Sequence, residues 1–226
     1  MGTEYAQSLD FEYDELWKRV VVKESRFGNR YDSLMDRMHK RDEFTKKYAW
    51  AIPTEEALEV IEKYGPLVEM GAGTGYWAYE LRKRGVTIEA YDQYPPNGKD
   101  WTEAEIEQYY KDHQHPDKNW YHRGAPSWTE VLRGTPNVLK TYDPEWNLFL
   151  CWPPYDTDMA AYSLGYHRGE FICYVGERDG GCNGDRMFWR LIDRLYHEVE
   201  TIDIPNWPGI HDYVTIYQRK NFGSRA

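Results

Sequence analysis

Three glycines at alternate positions, flanked by two acids, are the residues of this chain whose spacing points most directly to chemistry. Gly71, Gly73 and Gly75 follow a short apolar run, and Glu69 lies two positions before the first of them. Asp92 ends the next apolar stretch. A glycine-rich turn before a helix lets a ligand approach bare backbone, and an acid at the end of the following strand can hold the hydroxyls of a ribose.

The glycine spacing excludes two common nucleotide-binding motifs. The dinucleotide fingerprint places its third glycine three positions after the second, whereas Gly73 and Gly75 are two apart. No Gly-Lys-Ser/Thr sequence follows, so the loop is not a P-loop. A cationic ligand with a ribose and no phosphate suits an acid-lined glycine loop, and S-adenosylmethionine is such a ligand. A tight turn whose glycines serve packing alone is the alternative.

The elements around this loop predict a parallel α/β sheet. A helix capped by Thr54 is followed by a strand at 67–70, a helix at 77–84 and a strand at 86–91, which is one βαβ unit. Further along, the pattern predicts strands at 146–151, 170–176, 199–204 and 212–218, helices at 159–164 and 185–199, and a helical turn at 128–132.

The chain divides into an extension and one domain. Residues 1–47 are charged and have helical spacing, which predicts an N-terminal helical extension. Residues 48–226 then form one domain. Within it, the polar and aromatic stretch 93–127 is too long for an ordinary connection, so we expect an insertion over a site.

The segment Val68-Glu-Met-Gly-Ala-Gly-Thr-Gly-Tyr-Trp77, together with Ala90-Tyr-Asp92, resembles the cofactor half of the Rossmann-like (class I) S-adenosylmethionine-dependent methyltransferases. The resemblance implies a seven-stranded, mostly parallel sheet with helices on both faces and an antiparallel last strand. It also implies S-adenosyl-L-methionine as cofactor. The cofactor-binding residues it implies are Glu69, Gly71, Ala72, Gly73, Thr74, Gly75, Tyr76, Trp77 and Asp92.

A second motif, Trp152-Pro153-Pro154-Tyr155, ends a predicted strand. It is similar to the D/N/S-P-P-Y/F/W motif of amino-methyltransferases, in which the polar first residue and a backbone carbonyl accept hydrogen bonds from the target NH2. Trp152 departs from that pattern, because an indole only donates. An amino-methyltransferase with an altered contact, a methyltransferase with an aromatic pocket for another acceptor, and a rigid strand exit all stay open.

Other polar residues are weaker candidates. Glu177 follows a predicted strand at the same sheet edge and is a candidate carboxylate or base of the acceptor site. Asp156 and Asp158 either face that site or favour a helix N-terminus by their charge. The segment containing Trp50, Ile52 and Pro53 either covers the cofactor or packs in the core. His113, His115 and His122 match no metal site, so we predict none.

Composition restricts the class of protein and its partners. The net charge of −10 disfavours nucleic acid as acceptor without excluding it, since a second subunit could supply a basic groove. No apolar run is long enough for a membrane span. Three cysteines without CxxC spacing, and an acidic N-terminus without an apolar signal region, predict a reduced cytoplasmic protein. A homodimer is compatible with the sequence.

These observations together predict an S-adenosylmethionine-dependent methyltransferase that transfers a methyl group by direct displacement to a small or planar acceptor. Trp152, Pro153, Pro154, Tyr155 and Glu177 are its predicted catalytic-site residues. One alternative is an amino-methyltransferase acting on DNA or RNA, such as an N6-adenine enzyme. The other is a cofactor-binding, non-catalytic subunit that pairs with an active partner.

Overall fold

Seven strands form one sheet in a computed structural model, which describes residues 41, 45, 47–51, 53–95, 127–207 and 209–220. The spatial order of the strands is β3-β2-β1-β4-β5-β7-β6. All neighbours among β1 to β5 pair in parallel, and β7 is antiparallel to both β5 and β6. The strands are β1 (Leu67–Met70), β2 (Ile88–Asp92), β3 (Leu132–Arg133), β4 (Asn147–Cys151), β5 (Phe171–Gly176), β6 (Tyr196–Asp203) and β7 (Tyr213–Arg219).

In the part of the chain that the structure describes, four α-helices have defined bounds and pack on the two faces of the sheet. The first begins after Thr54, whose hydroxyl accepts the Ala57 N–H at 3.1 Å, and the fourth begins after Asp185, which accepts from Met187 and Phe188. They are α1 (Glu55–Ile61), α2 (Tyr76–Lys83), α3 (Met159–Tyr166) and α4 (Arg186–Leu195). Short 3-10 helices span Glu62–Tyr64 and Pro136–Thr141.

The alternation of side chains along each strand creates two separate hydrophobic cores. On one face, Leu67 and Phe149 pack with Leu58 of α1 and Leu81 of α2. On the other face, Val68 and Leu148 pack with residues of α3 and α4, among them Leu164 and Phe188. The resemblance implied seven strands, an antiparallel last strand and helices on both faces, and the structure confirms all three.

The parallel strands leave a crevice at their carboxyl ends. Strand β1 is central, with β2 on one side and β4 on the other, so the chain order reverses between β1 and β4. Ligands of open α/β sheets bind at such a switch point. The glycine loop after β1, Asp92 at the end of β2 and Trp152 after β4 therefore lie at the same edge.

Two predicted elements were wrong in type or length. The helical turn expected at 128–132 is a pair of bends that leads into the short strand β3. The helix expected at 185–199 ends at Leu195, because Tyr196 is extended and pairs with Arg219 as the first residue of β6. Most of the predicted extension 1–47 and of the insertion 93–127 lies outside the described residues.

Candidate functional site

The loop between β1 and α2 requires glycine at three positions. Gly71, Gly73 and Gly75 have φ values of 75°, 53° and 73°, in the left-handed region that side chains disfavour. A Cβ on Gly71 would lie 3.0 Å from Cε of Met159, and one on Gly75 would lie 2.7 Å from Cγ2 of Val131. The glycines thus give the loop its conformation and leave its backbone open to a ligand.

Asp92 braces this loop from the neighbouring strand. One carboxylate oxygen accepts the Gly73 N–H at 3.0 Å and the other accepts the Tyr94 N–H at 2.8 Å. The backbone carbonyl of Tyr91, the residue before Asp92, accepts the N–H groups of Gly71 and Ala72. The predicted ribose acid is therefore buried, held in position by two amides, and in the wall of the cavity described below.

Glu69 is a buried acid with an unsatisfied oxygen. The residue is 1% exposed, and its Oε2 atom has no hydrogen-bond partner. Burial raises the pKa of the carboxyl to about 8, although the charge of Arg82 opposes that rise. A buried carboxyl oxygen without a partner is costly, so this position favours a ligand that brings a cation or a hydrogen-bond donor.

The aromatic residues after the glycines anchor the loop to the segment at 48–51. The indole N–H of Trp77 donates to the Ala51 carbonyl at 2.8 Å, and the hydroxyl of Thr74 donates to the Tyr48 carbonyl. The rings of Tyr76 and Tyr48 pack edge to face, with their centroids 5.2 Å apart. Trp77 and Tyr76 are both buried, so packing accounts for much of their role.

One cavity of about 790 Å³ joins the two predicted halves of the site. Seven of the nine predicted cofactor residues line it, whereas Gly75 and Tyr76 do not. Trp50 also lines it; Ile52 lies outside the described residues. At the acceptor end, the lining includes Trp152, Pro154, Tyr155, Asp156 and Asp158.

Trp152 has an unusual backbone and a fixed side chain. Its φ of 52° is the one left-handed value among the non-glycine residues that the structure describes. Its N–H donates to the Val175 carbonyl at 2.8 Å. Its ring stacks on Trp50, with centroids 5.0 Å apart and planes 12° apart, and the Arg41 guanidinium lies about equally close to both rings.

The rest of the Trp-Pro-Pro-Tyr motif is divided between structure and cavity. The Pro153 carbonyl accepts the Gly184 N–H at 2.8 Å, and Pro153 does not line the cavity. Pro154 lines it and forms an isolated bridge with Asn183. Tyr155 is 63% exposed, so its ring is free to contact an acceptor.

Glu177 braces a loop next to the cavity and is not part of its lining. Its two carboxylate oxygens accept the N–H groups of Cys182 at 2.7 Å and His211 at 3.0 Å. The side chain is thereby engaged with the loops after β5 and before β7. Its carboxylate thus holds these two loops together.

Sequence reasoning missed Asn183, which lies in the glycine-rich loop after β5. Asn183 is only 1% exposed, and its side-chain oxygen accepts the Glu177 N–H at 2.7 Å. That bond fixes which end of the Asn183 amide is oxygen, so Nδ2 is a hydrogen-bond donor. Nδ2 is buried without a hydrogen-bond partner, and Asn183 lines the cavity. The signal for this residue in the sequence was an Asn in a glycine-rich loop that follows a predicted strand.

Asp212 was also missed, because it lies just before the last strand and far in sequence from the motifs. Burial raises the pKa of its carboxyl to about 7, and Glu177 adds to that rise. The indole N–H of Trp152 faces this carboxyl and lowers its pKa, although the two groups lie outside normal hydrogen-bond geometry. Asp212 is therefore a buried carboxyl next to the indole of Trp152, and it does not line the cavity.

The far end of the cavity is lined by the first residues of the stretch 93–127, which was predicted to lie over a site, and by a segment for which no role was predicted. Gln93 and Tyr94 follow Asp92, and the stretch 134–137 follows β3. The strand β3 has only two residues, so its position was not evident from periodicity. Both segments extend the cavity beyond Asp92, away from Trp152.

Comparison with known proteins yields structures and no sequence relatives. No family model and no curated protein matches the chain. A Burkholderia thailandensis 1,6-didemethyltoxoflavin-N1-methyltransferase with bound S-adenosylhomocysteine is 13% identical, with a TM-score of 0.45 over 91% of this chain and 90% of that one. The magnesium protoporphyrin IX methyltransferase of Synechocystis PCC 6803, with bound S-adenosylmethionine, is 10% identical, with a TM-score of 0.38 over 97% of each chain.

A third similar structure acts on nucleic acid. It is the Pyrococcus abyssi tRNA (uracil-54, C5)-methyltransferase with S-adenosylhomocysteine, 15% identical, with a TM-score of 0.39 over 72% of this chain and 37% of that one. The names of the three proteins cover different acceptor classes.

Metal and membrane features are not found in the part of the chain that the structure describes. Those residues contain no group of three or more His, Cys, Asp or Glu able to hold a metal ion. No helix among them is long and apolar enough to cross a bilayer. The three cysteines are free thiols, and Cys173 is buried. His113, His115 and His122 lie outside the described residues.

Proposed function

We propose that this chain is an S-adenosylmethionine-dependent methyltransferase that acts on a small, planar acceptor. The observation that carries the proposal is the single cavity that runs from the glycine loop, Glu69 and Asp92 to Trp152 and Tyr155. Its volume is within the range of small-molecule sites. Most of the predicted cofactor residues and three of the five predicted acceptor residues thus line one enclosure, which suits methyl transfer between two bound molecules.

The residues fit the cofactor by chemistry. The unsatisfied carboxyl of Glu69 would favour the cationic methionine end, and the left-handed Gly71 and Gly73 leave the loop backbone accessible. Asp92 would hold the ribose hydroxyls, since each of its oxygens has a second lone pair. The segments at 93–94 and 134–137, beyond Asp92, would enclose the adenine.

When bound, the cofactor would supply a methyl group on a sulfonium sulfur, and the electron pair of the S–CH3 bond would stay on that sulfur. A lone pair of the acceptor would form the new bond to the methyl carbon. Any proton on the acceptor atom would leave to solvent. The chain's own contribution is mainly position. Trp50 and Trp152 exclude water, Tyr155 offers a face for a flat molecule, and Asn183 donates a hydrogen bond to orient it.

The same groups favour a lone-pair-bearing atom over an NH2 target. The indole of Trp152 and the free Nδ2 of Asn183 are donors, so neither can accept a hydrogen bond from a target amine. The Pro153 carbonyl, the other acceptor of the amino-methyltransferase pattern, binds the Gly184 N–H, and Pro153 does not line the cavity. For Glu177 we propose a positioning role, because its carboxylate binds two backbone amides outside the cavity lining.

Calorimetry with S-adenosylmethionine and S-adenosylhomocysteine tests the cofactor assignment. Gly71→Ala should abolish or strongly weaken binding, because the methyl group strains the loop and contacts Met159. Gly85→Ala is the matched control: Gly85 has a φ of 85°, and open space surrounds its added Cβ. Equal binding by the two variants would contradict the assignment.

A transfer assay separates an enzyme from a non-catalytic subunit. The protein would be incubated with methyl-radiolabelled S-adenosylmethionine and, separately, with DNA, RNA and a pool of metabolites. We expect label in the metabolite pool. Label in DNA or RNA would support the nucleic-acid alternative, and cofactor binding without transfer to any pool would contradict catalysis by this chain alone.

A further inference from the structure

Asn183 carries a hydrogen-bond donor without a partner in the acceptor half of the cavity. The residue is 1% exposed and lines the cavity, and its Nδ2 atom makes no hydrogen bond within the described part of the chain. Because the atom is buried, bulk water does not satisfy it either. A buried donor in this state is rare and costly in proteins, and a ligand that supplies a hydrogen-bond acceptor removes the cost.

The amide of Asn183 is held in one orientation. Its Oδ1 atom accepts the Glu177 N–H at 2.7 Å. The amide also packs closely on Gly176, since a Cβ at Gly176 would lie 2.7 Å from Oδ1 and 3.1 Å from Cγ. Rotating the amide by half a turn would place its NH2 group against the Glu177 N–H, donor against donor. Nδ2 is therefore the free end of the amide.

The backbone of Asn183 is anchored to two neighbouring elements. Its carbonyl accepts the indole N–H of Trp189, in α4, at 2.9 Å. It also forms an isolated bridge with Pro154, and the next residue, Gly184, donates its N–H to the Pro153 carbonyl at 2.8 Å. The loop after β5 is thus fixed to the turn after β4, so the position of the donor is set by the fold.

Three other residues of the described lining have a buried side-chain atom without a hydrogen-bond partner, and none of them is a comparable donor. They are Glu69, Trp152 and Thr157. The proposed cofactor half accounts for the oxygen of Glu69. The indole N–H of Trp152 faces the carboxyl of Asp212, which does not line the cavity. The hydroxyl of Thr157 both donates and accepts, so it does not discriminate between ligands.

We infer that Asn183 is a specificity-determining residue, and that the methyl acceptor carries a lone pair without a hydrogen at the atom that meets Nδ2. A carbonyl oxygen, a deprotonated hydroxyl and a pyridine-type ring nitrogen are such atoms. A fixed donor discriminates against a ligand without such an atom, because that ligand leaves the donor unpaired. The inference rests on the proposed function, since it assigns the substrate class of the same cavity.

Two rings of the same shape test this preference without knowledge of the natural methyl acceptor. Isoquinoline has a ring nitrogen with a lone pair, and naphthalene has a C–H group in its place. Both would be titrated by ligand-observed NMR, at a pH where isoquinoline is uncharged, into protein saturated with S-adenosylhomocysteine. The measured quantity is the ratio of the two Kd values, compared between wild type and variant. This comparison cancels the difference in how water solvates the two rings.

Two variants remove the donor, and a third is the matched control. Asn183→Ala should lower the preference for isoquinoline over naphthalene about tenfold, and Asn183→Leu, which is closer in size to Asn, should do the same. The control is Asn147→Ala. Asn147 is also a buried Asn whose amide oxygen accepts a backbone N–H, but it does not line the cavity. Its variant should therefore keep the wild-type ratio.

A measurement on the wild-type protein does not depend on the folding of any variant. The side-chain 15N–1H resonances of Asn183 should shift downfield when isoquinoline binds and stay in place when naphthalene binds. Absence of that shift would overturn the inference, as would an unchanged ratio in the Asn183 variants or an equal change in the Asn147 control. Failure of the wild type to bind S-adenosylhomocysteine would reject the proposed function itself, whereas binding without the ring preference rejects the role of Asn183 alone.

Discussion

The buried carboxyl of Glu69 should make cofactor binding depend steeply on pH. Its pKa of about 8 means that most ligand-free molecules carry the proton at neutral pH. At pH 7 the protonated fraction is about nine in ten. An ammonium group placed beside Glu69 favours the ionised carboxylate, so binding of the ligand should release this proton.

The size of the effect follows from the same pKa of about 8. The ratio of protonated to ionised Glu69 is about 100 to 1 at pH 6.0 and about 3 to 1 at pH 7.5. If only the ionised form binds the ligand well, the Kd should fall about 20-fold over that interval, or about 1.8 kcal/mol. The affinity therefore rises with pH and levels off above pH 8.

Calorimetric titration with S-adenosylhomocysteine at pH 6.0, 7.0 and 7.5 measures this slope. Repeating each titration in two buffers of different ionisation enthalpy counts the protons, and we expect about 0.9 released at pH 7. Glu69→Gln keeps the shape of the side chain but cannot ionise, so its affinity should be flat over this range. A flat wild-type profile without proton release, or an equal slope in the variant, would refute the reasoning.

Three further predictions concern the stability of the fold. Glu69 and Asp212 keep protons in the folded state that the unfolded chain loses, because burial raises the pKa of both carboxyls. The stability of the ligand-free protein, measured by thermal unfolding, should therefore fall as the pH rises from 6.5 to 8. Asp212→Asn should reduce this fall. Between about pH 4.5 and 6.5, His167 opposes this trend, since burial lowers its pKa to about 3 and only the unfolded chain takes up the proton. Stability should therefore fall less steeply with rising pH there, and His167→Gln should make that fall steeper. Asn147→Ala, which removes bonds to the Tyr64 carbonyl and the Phe171 N–H, should cost about 2 kcal/mol in denaturant unfolding and leave the Kd for S-adenosylhomocysteine unchanged.

The cofactor half was predictable because its signals are local. Glycines at alternate positions have few explanations when they stand between a strand and a helix, and Asp92 closes the next strand. Chain direction and the parallel sheet then bring these residues to one edge. The strand β3 was not predicted, since two residues show no periodicity, and the segment at 134–137 was missed with it.

The acceptor half depends on contacts that sequence spacing does not encode. Trp50 and Trp152 are about a hundred residues apart, yet their rings stack at 5.0 Å. Asn183 and Asp212 reach the same region from two loops, and only the fold brings them together. The role of Glu177 likewise depends on where the amides of Cys182 and His211 lie, which no local pattern indicates.

Trp152 shows how these contacts restrict the chemistry. A non-glycine residue with a φ of 52° is strained, by an amount of about 1–2 kcal/mol, and persists only where its surroundings hold it. Here the Val175 carbonyl holds its N–H, and Trp50 holds its ring. The held side chain puts a donor-only indole where the amino-methyltransferase pattern has a hydrogen-bond acceptor. Under the proposed function, selection of the acceptor would therefore depend on flat aromatic surfaces such as Tyr155, because this position lacks the hydrogen-bond acceptor that would orient an amine.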